Sequence, residues 1–408
     1  MNTYYTLHSL RIKNYRSFCD EQEISFKMPV TAFYGANASG KSNIFKALSN
    51  AWHFIQNSTQ PNTQATPFLP STHTIPYEPF LLRENNMDEP TVFEMTFGNQ
   101  NSTYRYTFST TASEIAEEAM FDLSTSRERT IFVRSKGQNS TAIKNGFGKK
   151  IFETTRANSL LITRAQEYAN EYAGAVFDFL SNLHLITINS NPPLRPMTIN
   201  ILQLNPSIKN QVLDLLRKTD FPIRDFMFAM DDIPQEIIDG MPLADSFKIQ
   251  LRGQKNTFTQ TVHAIRNEFG DVTGSIAFNM DAQESMGTNV FFDIIVFIID
   301  TLNNGKILYL DEFNSNLHID ICELIIKLFK ANKTGAKLII NTHDVGLMKS
   351  SGGQGVLDDK DIVYVEKDMF EQSIITPHGK KRTARKDDNI EKKYRFGVYG
   401  GKPIVRED

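Results

Sequence analysis

The chain contains only two cysteines, Cys19 and Cys322, among its 408 residues. Two cysteines do not build a disulfide framework, and without a CxxC pair there is no zinc motif. We therefore expect both thiols to be small buried side chains that behave as apolar residues. The sequence thus excludes a disulfide-stapled secreted scaffold and a zinc-ribbon protein.

An excess of charge of one sign is also missing. Lys and Arg number 44 and Asp and Glu number 47, which gives a formal net charge of −3. This balance excludes a globally basic, histone-like coat for nucleic acid, although it leaves room for a local basic patch.

Hydrophobic runs are shorter than a membrane span requires. The longest run, residues 289–302, contains Asp293 and Asp300. Because a span needs about 20 mostly apolar residues, we predict a buried core helix there. Residues 1–10 contain no basic segment followed by an apolar run, so no signal peptide is expected. We therefore expect a cytoplasmic protein with no membrane partner.

Strand and helix patterns alternate at both ends of the chain, and helical patterns dominate the middle. The period of the apolar residues predicts a hairpin from strands at 91–97 and 104–108, and helices at 159–183 and 207–217. An α/β domain split by an insertion explains this order. The predicted parts are an N-terminal lobe at 1–110, a mainly helical insertion at 111–253, a C-terminal lobe at 254–377 and a basic tail at 378–408.

The strongest motif lies between a predicted strand at 30–33 and a predicted helix at 43–55. Residues 35–42, GANASGKS, fit the P-loop pattern G-x-x-x-x-G-K-[ST]. Glycines let backbone N–H groups point at phosphate oxygens, and the start of a helix adds a positive dipole end. Lys41 is predicted to reach the β- and γ-phosphates and Ser42 to bind Mg²⁺. The expected nucleotide contacts are Gly35, Ala36, Asn37, Ala38, Ser39, Gly40, Lys41, Ser42 and Asn43.

A second motif is an apolar strand that ends in two carboxylates, KILYLDE at 306–312. Asp311 is predicted to hold Mg²⁺ together with Ser42. Glu312 is predicted to polarise the attacking water as general base. Solvated acids at the end of any strand have the same composition, so this interpretation depends on the P-loop upstream.

Two further polar segments accompany these motifs. INTHD, residues 340–344, follows another apolar strand, and His343 is expected to contact the γ-phosphate or the attacking water. ESMGT, residues 284–288, precedes the apolar helix, where Ser285 and Gly287 would bind phosphate. An ordinary helix N-cap has the same composition.

In this order, the motifs resemble those of ABC-type ATPase heads. RIKNYRSF (11–18) followed by YGANASGKSN (34–43) is similar to the N-termini of SMC, Rad50 and RecF-like ATPases. ESMGT resembles the variant signature ESxGT, and YLDEFNSNLH resembles DExxxxLHP, with Ile319 in place of proline. The segment KKYRFGVYGGKP (392–403) is similar to the ending of the RloA/AbiLi phage-resistance ATPases, with Gly401 where alanine is common.

The resemblance implies an ABC-type P-loop ATPase head, a mixed sheet flanked by helices, that hydrolyses ATP with Mg²⁺. It also implies a homodimer or higher homo-oligomer in which two heads sandwich ATP. One copy would supply the P-loop, Asp311, Glu312 and His343, and the other Ser285 and Gly287. Arg16 and Ser17 fall where related heads contact phosphate or adenine. The glutamine that links Mg²⁺ to the insertion in such heads is left open among Gln56, Gln60, Gln64 and Gln100.

The function that the resemblance implies is a sensor or switch in a bacterial anti-phage (abortive infection) system. Such a switch would control a separate toxin or nuclease, RloB-like or Toprim-type. The alternative is a RecF- or Rad50-like DNA-repair ATPase. OLD-family relatives carry their own Toprim nuclease, but about 65 residues follow His343, and we expect these to be too few.

The predicted tail is rich in positive charge. Nine Lys and Arg residues lie between 378 and 402. Such a run is either a solvated surface or a contact with nucleic acid or an acidic partner.

Overall fold

The computed structural model describes residues 4–60, 75–135, 147–188, 194–219, 221–232, 235–240, 248, 255–350, 355–377 and 389–396. The strands are β1 Thr6–Lys13, β2 Gln22–Ser25, β3 Val30–Tyr34, β4 Thr91–Gly98, β5 Thr103–Thr110, β6 Ile115–Asp122, β7 Arg129–Ser135, β8 Leu183–Thr187, β9 Asp225–Asp232, β10 Lys255–Arg266, β11 Val272–Asn279, β12 Ile307–Asp311, β13 Lys337–Asn341, β14 Ile362–Lys367 and β15 Ser373–Pro377. The α-helices are α1 Lys41–Asn57, α2 Lys149–Glu153, α3 Leu161–Gln166, α4 Glu171–Ser181, α5 Arg195–Leu204, α6 Ile208–Lys218, α7 Gln235–Gly240, α8 Met280–Gln283, α9 Met286–Asn304, α10 Ile319–Ala331 and α11 Ile390–Arg395.

These elements divide into two compact units. The first contains Met1–Thr187, Thr301–Asn314 and Cys322–Asp408, and the second contains Ile188–Asp300 and Ser315–Ile321. The second unit is inserted in the sequence of the first. The second unit therefore does not coincide with the insertion predicted at 111–253, because it begins and ends later in the sequence.

A mixed six-stranded sheet lies in the first unit, in the order β15-β14-β3-β13-β12-β8. All neighbours are parallel except β15, which runs antiparallel to β14. β3 and β12 are buried along their whole length, which is why both are continuous apolar runs in the sequence. Because the carboxyl ends of parallel strands share one edge, the loops after β3, β12 and β13 meet there. The predicted α/β fold class is confirmed.

An antiparallel six-stranded sheet, in the order β2-β1-β4-β5-β6-β7, forms the other layer of the first unit. The predicted hairpin is confirmed as β4 and β5. Phe93, Met95 and Phe97 alternate along β4 on its buried face. Phe97 stacks on Phe179 of α4, with ring centroids 4.5 Å apart. One buried cluster joins side chains of this sheet, of α1 and of the mixed sheet.

The prediction of a mainly helical segment from residue 111 is wrong for its first part. Ile115–Asp122 and Arg129–Ser135 are strands β6 and β7, and β6 pairs with β5. The segment IAEEAMFD has a helix-like composition, but sheet pairing overrides that weak preference. Glu118 is fully buried in β6 and accepts hydrogen bonds from the Tyr106 hydroxyl (2.9 Å) and the Leu161 backbone N–H (2.7 Å).

The helical pattern at 159–183 is also interrupted. It forms two helices, α3 and α4, because Ala169 adopts a left-handed backbone (φ 53°) and Asn170 caps α4. The Asn170 side chain accepts the N–H groups of Tyr172 (3.0 Å) and Ala173 (3.1 Å). The helix predicted at 207–217 is confirmed as α6.

The second unit contains helices α5 to α8, most of α9 and an antiparallel sheet in the order β11-β10-β9. Phe226 of β9 packs edge to face against Phe292 of α9, with centroids 5.2 Å apart. Within the part of the chain that the structure describes, α9 is the one helix long and apolar enough to cross a membrane. Of its most apolar window, 61% is buried in the protein, and a core helix passes the same test.

Two core cysteines and one half-buried lysine have pKa values that burial shifts. Cys19 and Cys322 are buried and free, as predicted, and burial raises the pKa of Cys322 to about 12. Lys337 at the start of β13 donates hydrogen bonds from Nζ to the carbonyls of Leu7 (2.9 Å) and Phe26 (2.6 Å). Burial lowers the pKa of Lys337 to about 8.

Lys337 makes folding stability depend on alkaline pH. Below pH 8 the folded protein holds a partly desolvated ammonium, and this costs stability. Between pH 8 and the ordinary lysine pKa the unfolded chain binds more protons, so the free energy of unfolding rises with pH. Across this pH range, we expect the free energy of unfolding to rise by about 1–3 kcal/mol more in the wild-type protein than in Lys337→Met. Urea unfolding of the wild-type protein and of Lys337→Met at pH 7.5 and pH 10 measures this difference. The same pH dependence in the two proteins would show that Lys337 does not cause it.

Candidate functional site

The loop between β3 and α1 has a shape that requires glycine at both ends. A Cβ on Gly35 would lie 2.2 Å from the carbonyl oxygen of Val365. Gly40 has a φ of +111°, and a Cβ there would lie 2.3 Å from Ser373 Oγ and 2.8 Å from Ser17 Oγ. A side chain at Gly35 or Gly40 would therefore clash with its neighbours and change the curved backbone of the loop.

Lys41 begins α1 and folds into the curve of this loop. Its Nζ donates to the carbonyl oxygens of Gly35 (2.6 Å) and Ala36 (3.0 Å). Burial lowers the pKa of Lys41, and the nearby charge of Asp311 acts in the opposite direction. Ser39 Oγ is buried and has no hydrogen-bond partner in the structure. A half-buried ammonium and a buried, unpaired hydroxyl beside helix N–H groups fit a bound polyphosphate.

Asp311 ends β12 in the same place. Its Oδ1 accepts hydrogen bonds from Ser42 Oγ (3.1 Å) and Asn341 Nδ2 (2.6 Å). The Tyr309 hydroxyl donates to Asn341 Oδ1 (3.1 Å), which fixes the amide. Asp311 is only 5% exposed. Residues at or after the ends of three parallel strands therefore form one hydrogen-bonded cluster. The prediction that Ser42 and Asp311 hold Mg²⁺ stays a prediction.

The Ser42 hydroxyl and the Asp311 carboxylate are hard oxygen donors of the kind that Mg²⁺ prefers. No group of three or more His, Cys, Asp and Glu residues that could hold a metal occurs among the described residues. Mg²⁺ commonly binds through one or two protein oxygens together with substrate phosphates and waters. The donor set therefore fits Mg²⁺ that arrives with a nucleotide.

Glu312 follows Asp311 in an unusual backbone conformation. Its φ is 59°, in the left-handed region that non-glycine residues rarely adopt. Both neighbours are tied down, since Asp311 is held by Ser42 and Asn341, and the Phe313 N–H donates to the Asn341 carbonyl (3.0 Å). Strain of this kind persists where the surroundings over-determine it, and it concentrates at functional sites. The Glu312 side chain is exposed, so water can reach it.

His343 follows β13 and faces the loop across a cavity. Its Nε2 lies 3.5 Å from Asn314 Nδ2, and Asn314 Oδ1 accepts a hydrogen bond from Thr342 Oγ1 (2.9 Å). The cavity measures about 460 Å³ and is lined by Gly35, Ala36, Asn37, His343, Val345, Tyr394 and Arg395. His343 and the first half of the P-loop therefore share one space.

Ser17 contacts the end of the P-loop, whereas the Arg16 side chain is paired elsewhere. Ser17 Oγ accepts a hydrogen bond from Asn43 Nδ2 (2.8 Å), and the Ser17 carbonyl accepts the Ser373 N–H (2.7 Å). Ser17 therefore braces the end of the P-loop. Arg16 instead forms an ion pair with Glu78 (2.7 Å). Its predicted contact with phosphate or adenine stays a prediction.

Ser285 and Gly287 belong to the second unit and form the start of α9. The Thr288 N–H donates to Ser285 Oγ (3.1 Å), so Ser285 is a helix N-cap. A Cβ on Gly287 would lie 2.8 Å from the Asn316 carbonyl oxygen. The proposed phosphate contact of this segment stays a prediction.

Three residues for which no role was predicted hold this site together. Asn341 orients Asp311, Asn314 contacts the His343 ring, and Ser373 donates from Oγ to the Ser39 carbonyl (2.5 Å). A polar residue at the end of a buried strand could have pointed to Asn341. Ser373 lies over 300 residues from the loop that it supports and carries no local signal.

A protein-family model matches residues 30–349, from the start of β3 to beyond His343. The description of that family, AAA_21, names an AAA domain, the AbiEii toxin and the type IV toxin–antitoxin system. The match covers well over half of the chain. The chain belongs to the AAA_21 family. With its P-loop, Asp311 and Ser42 in one cluster, this AAA_21 protein is a P-loop ATPase, as predicted.

Solved structures similar to the AAA_21 protein include SMC and RecF chains. An SMC head bound to the C-winged helix domain of ScpA has 14% identity and a TM-score of 0.49, covering 91% of this chain and 96% of that one. The SMC head domain from Thermotoga maritima has 15% identity and a TM-score of 0.41, with 91% and 98% covered. The recombination mediator RecF with ATPrS has 12% identity and a TM-score of 0.38, with 92% and 99% covered. No curated protein matches the chain in sequence.

Replacing Lys41 with alanine removes the ammonium from the P-loop. We expect Lys41→Ala to weaken ATP binding by about 100-fold, because charge-assisted bonds to phosphate are among the strongest polar contacts. Lys46→Ala is the matched control, since Lys46 is an exposed lysine on the same helix. Calorimetric titration with ATP measures both variants, and equal affinities in the two would overturn the assignment.

Replacing Glu312 with glutamine tests the general base. We expect Glu312→Gln to lower ATP turnover by about 10²-fold or more while ATP binding changes little, because only proton removal from water is lost. Glu371→Gln is the control, since Glu371 is also exposed and also has a positive φ of 60°. Unchanged phosphate release in Glu312→Gln would exclude Glu312 as the base.

Proposed function

We propose that this AAA_21 ATPase uses ATP to pair two copies of itself head to tail. One observation carries the proposal. The same chain contains a complete P-loop bonded to Asp311 and a helix start of the form Ser-x-Gly that Ser285 caps. The N-terminus of a 19-residue helix can bind an anion through free N–H groups and its dipole. In the pair, Ser285 and Gly287 of one copy bind the γ-phosphate held by the other.

Pairing of this kind makes ATP a switch. ATP has a higher affinity for the closed pair than for the separate heads, and hydrolysis by Glu312 reopens the pair. His343 lines the cavity next to the P-loop, where it contacts the terminal phosphate of bound ATP. The switch therefore resets with each turnover.

We propose that the switch acts in the cytoplasm, as sensor and regulator of a bacterial anti-phage system. The family description, with its AbiEii toxin and type IV toxin–antitoxin system, supports this role. The resemblance of the segment at 392–403 to phage-resistance ATPases points in the same direction. The regulated effector is a separately encoded toxin or nuclease, RloB-like or Toprim-type.

A RecF-like role in DNA repair is equally compatible with the ATP site. Of the nine positive residues between 378 and 402, Lys392, Lys393 and Arg395 belong to α11, and the others lie outside the described residues. A RecF-like protein would bind DNA with a steep salt dependence and without an effector protein. A defence switch would instead co-purify with the product of a neighbouring gene, so purification with neighbours at two salt concentrations separates the two roles.

Two substitutions at Ser285 test head pairing while keeping α9 capped. Asp and Asn are both good N-cap residues, so Ser285→Asp and Ser285→Asn retain the bond to the Thr288 N–H. Only aspartate adds a negative charge that repels the γ-phosphate across the pair. We expect Ser285→Asp to lose ATP-dependent dimerisation and at least 90% of turnover, roughly a cost of 1.4 kcal/mol or more.

Light scattering with ATP measures the pairing, and for this measurement both substitutions are made in the Glu312→Gln background. Phosphate release measures turnover in proteins that keep Glu312. Ser285→Asn should retain both to a large extent. If Ser285→Asp pairs as well as Ser285→Asn does, the contact between Ser285 and a partner's phosphate is wrong.

A further inference from the structure

Helix α11 packs directly beside the P-loop through three tyrosines. The Tyr394 ring stacks on Tyr364 of β14, with centroids 5.6 Å apart and planes 14° apart. It also meets Tyr34 edge to face at 5.9 Å. Tyr394 is only 5% exposed. Tyr34 is the last residue of β3, and Gly35 follows it, so α11 is held against the strand that carries the P-loop.

The residue after Tyr394 lies on the wall of the nucleotide cavity. Arg395 lines the same cavity as Gly35, Ala36 and His343. The Gly35 and Ala36 carbonyls are also the acceptors of the Lys41 ammonium. A P-loop lysine reaches the β- and γ-phosphates. The cavity therefore lies at the end of the loop where the terminal phosphates bind, and Arg395 adds a second basic side chain there.

The present partner of Arg395 leaves donors for a phosphate. Its Nε donates to Glu391 Oε1 at 2.9 Å, one turn earlier on α11, and the Arg395 side chain is 60% exposed. Exposed ion pairs of this spacing contribute little stability. A guanidinium has five N–H donors in a fixed fork that matches phosphate oxygens. Arg395 can therefore bind a phosphate and still keep its bond to Glu391.

We infer that Arg395 is a further residue of the nucleotide site, which binds the terminal phosphate of ATP from within the same chain. It gives the site a preference for triphosphate over diphosphate. The segment at 389–396 is thus part of the ATP site. This inference rests on ATP binding by the single chain, and it needs neither head pairing nor an effector.

The test compares affinities for a non-hydrolysable ATP analogue and for ADP by calorimetry on the full chain. We expect Arg395→Ala to weaken analogue binding at least tenfold and ADP binding less than twofold. Lys392→Ala is the matched control, because Lys392 is an exposed cation on the same helix and does not line the cavity. It should change both affinities less than twofold.

Two further variants keep the result unambiguous. Arg395→Gln retains a polar side chain of similar length, so it decides the outcome if Arg395→Ala shifts the melting temperature without nucleotide. Measurements on Ser285→Asp separate this contact from head pairing, since Arg395→Ala should lower analogue affinity by the same factor there. Equal loss for analogue and ADP, or no loss in both Arg395 variants, would overturn the inference.

Discussion

The Asp311 carboxylate joins the ends of three parallel strands, and the geometry of the site depends on this contact. Ser42 comes from the helix after β3, Asp311 from β12 and Asn341 from β13, and all three meet at one carboxylate oxygen. A nearly buried carboxylate is stable only when hydrogen bonds replace the water that it loses. The same bonds hold α1 against the end of β12, which Glu312 follows directly. The positions of Ser42 and of the Glu312 backbone are therefore fixed by one buried acid.

Much of this arrangement follows from sequence because buried parallel strands are easy to find. β3, β12 and β13 are short apolar runs, and a polar motif follows each one directly. Parallel pairing then brings the motifs to a common edge without further information. This is why the fold class, the P-loop and the pair of Ser42 with Asp311 could be predicted from the order of motifs alone.

The remaining features depend on tertiary contacts or on the backbone conformation of single residues. Strand β6 has a helix-like composition and becomes a strand through its pairing with β5 and the burial of Glu118. The break between α3 and α4 depends on one left-handed residue, Ala169, which no periodicity reveals. Ser373 supports the P-loop from the far end of the chain, and Arg395 reaches the cavity because Tyr394 packs on Tyr34. In the cases of Ser373 and Tyr394 the deciding partner is remote in sequence, and composition gives no sign of it.

The order of strands in the mixed sheet also has a consequence for biosynthesis. β3 emerges from the ribosome early, but its two neighbours are β13 and β14, some 300 residues later. Closing such a long loop is slow, and an unpaired apolar strand is prone to aggregation until it is covered. The mixed sheet that positions the P-loop therefore cannot assemble before β13 and β14 have been translated. A nascent chain that ends before β13 lacks the Asn341 contact that holds Asp311.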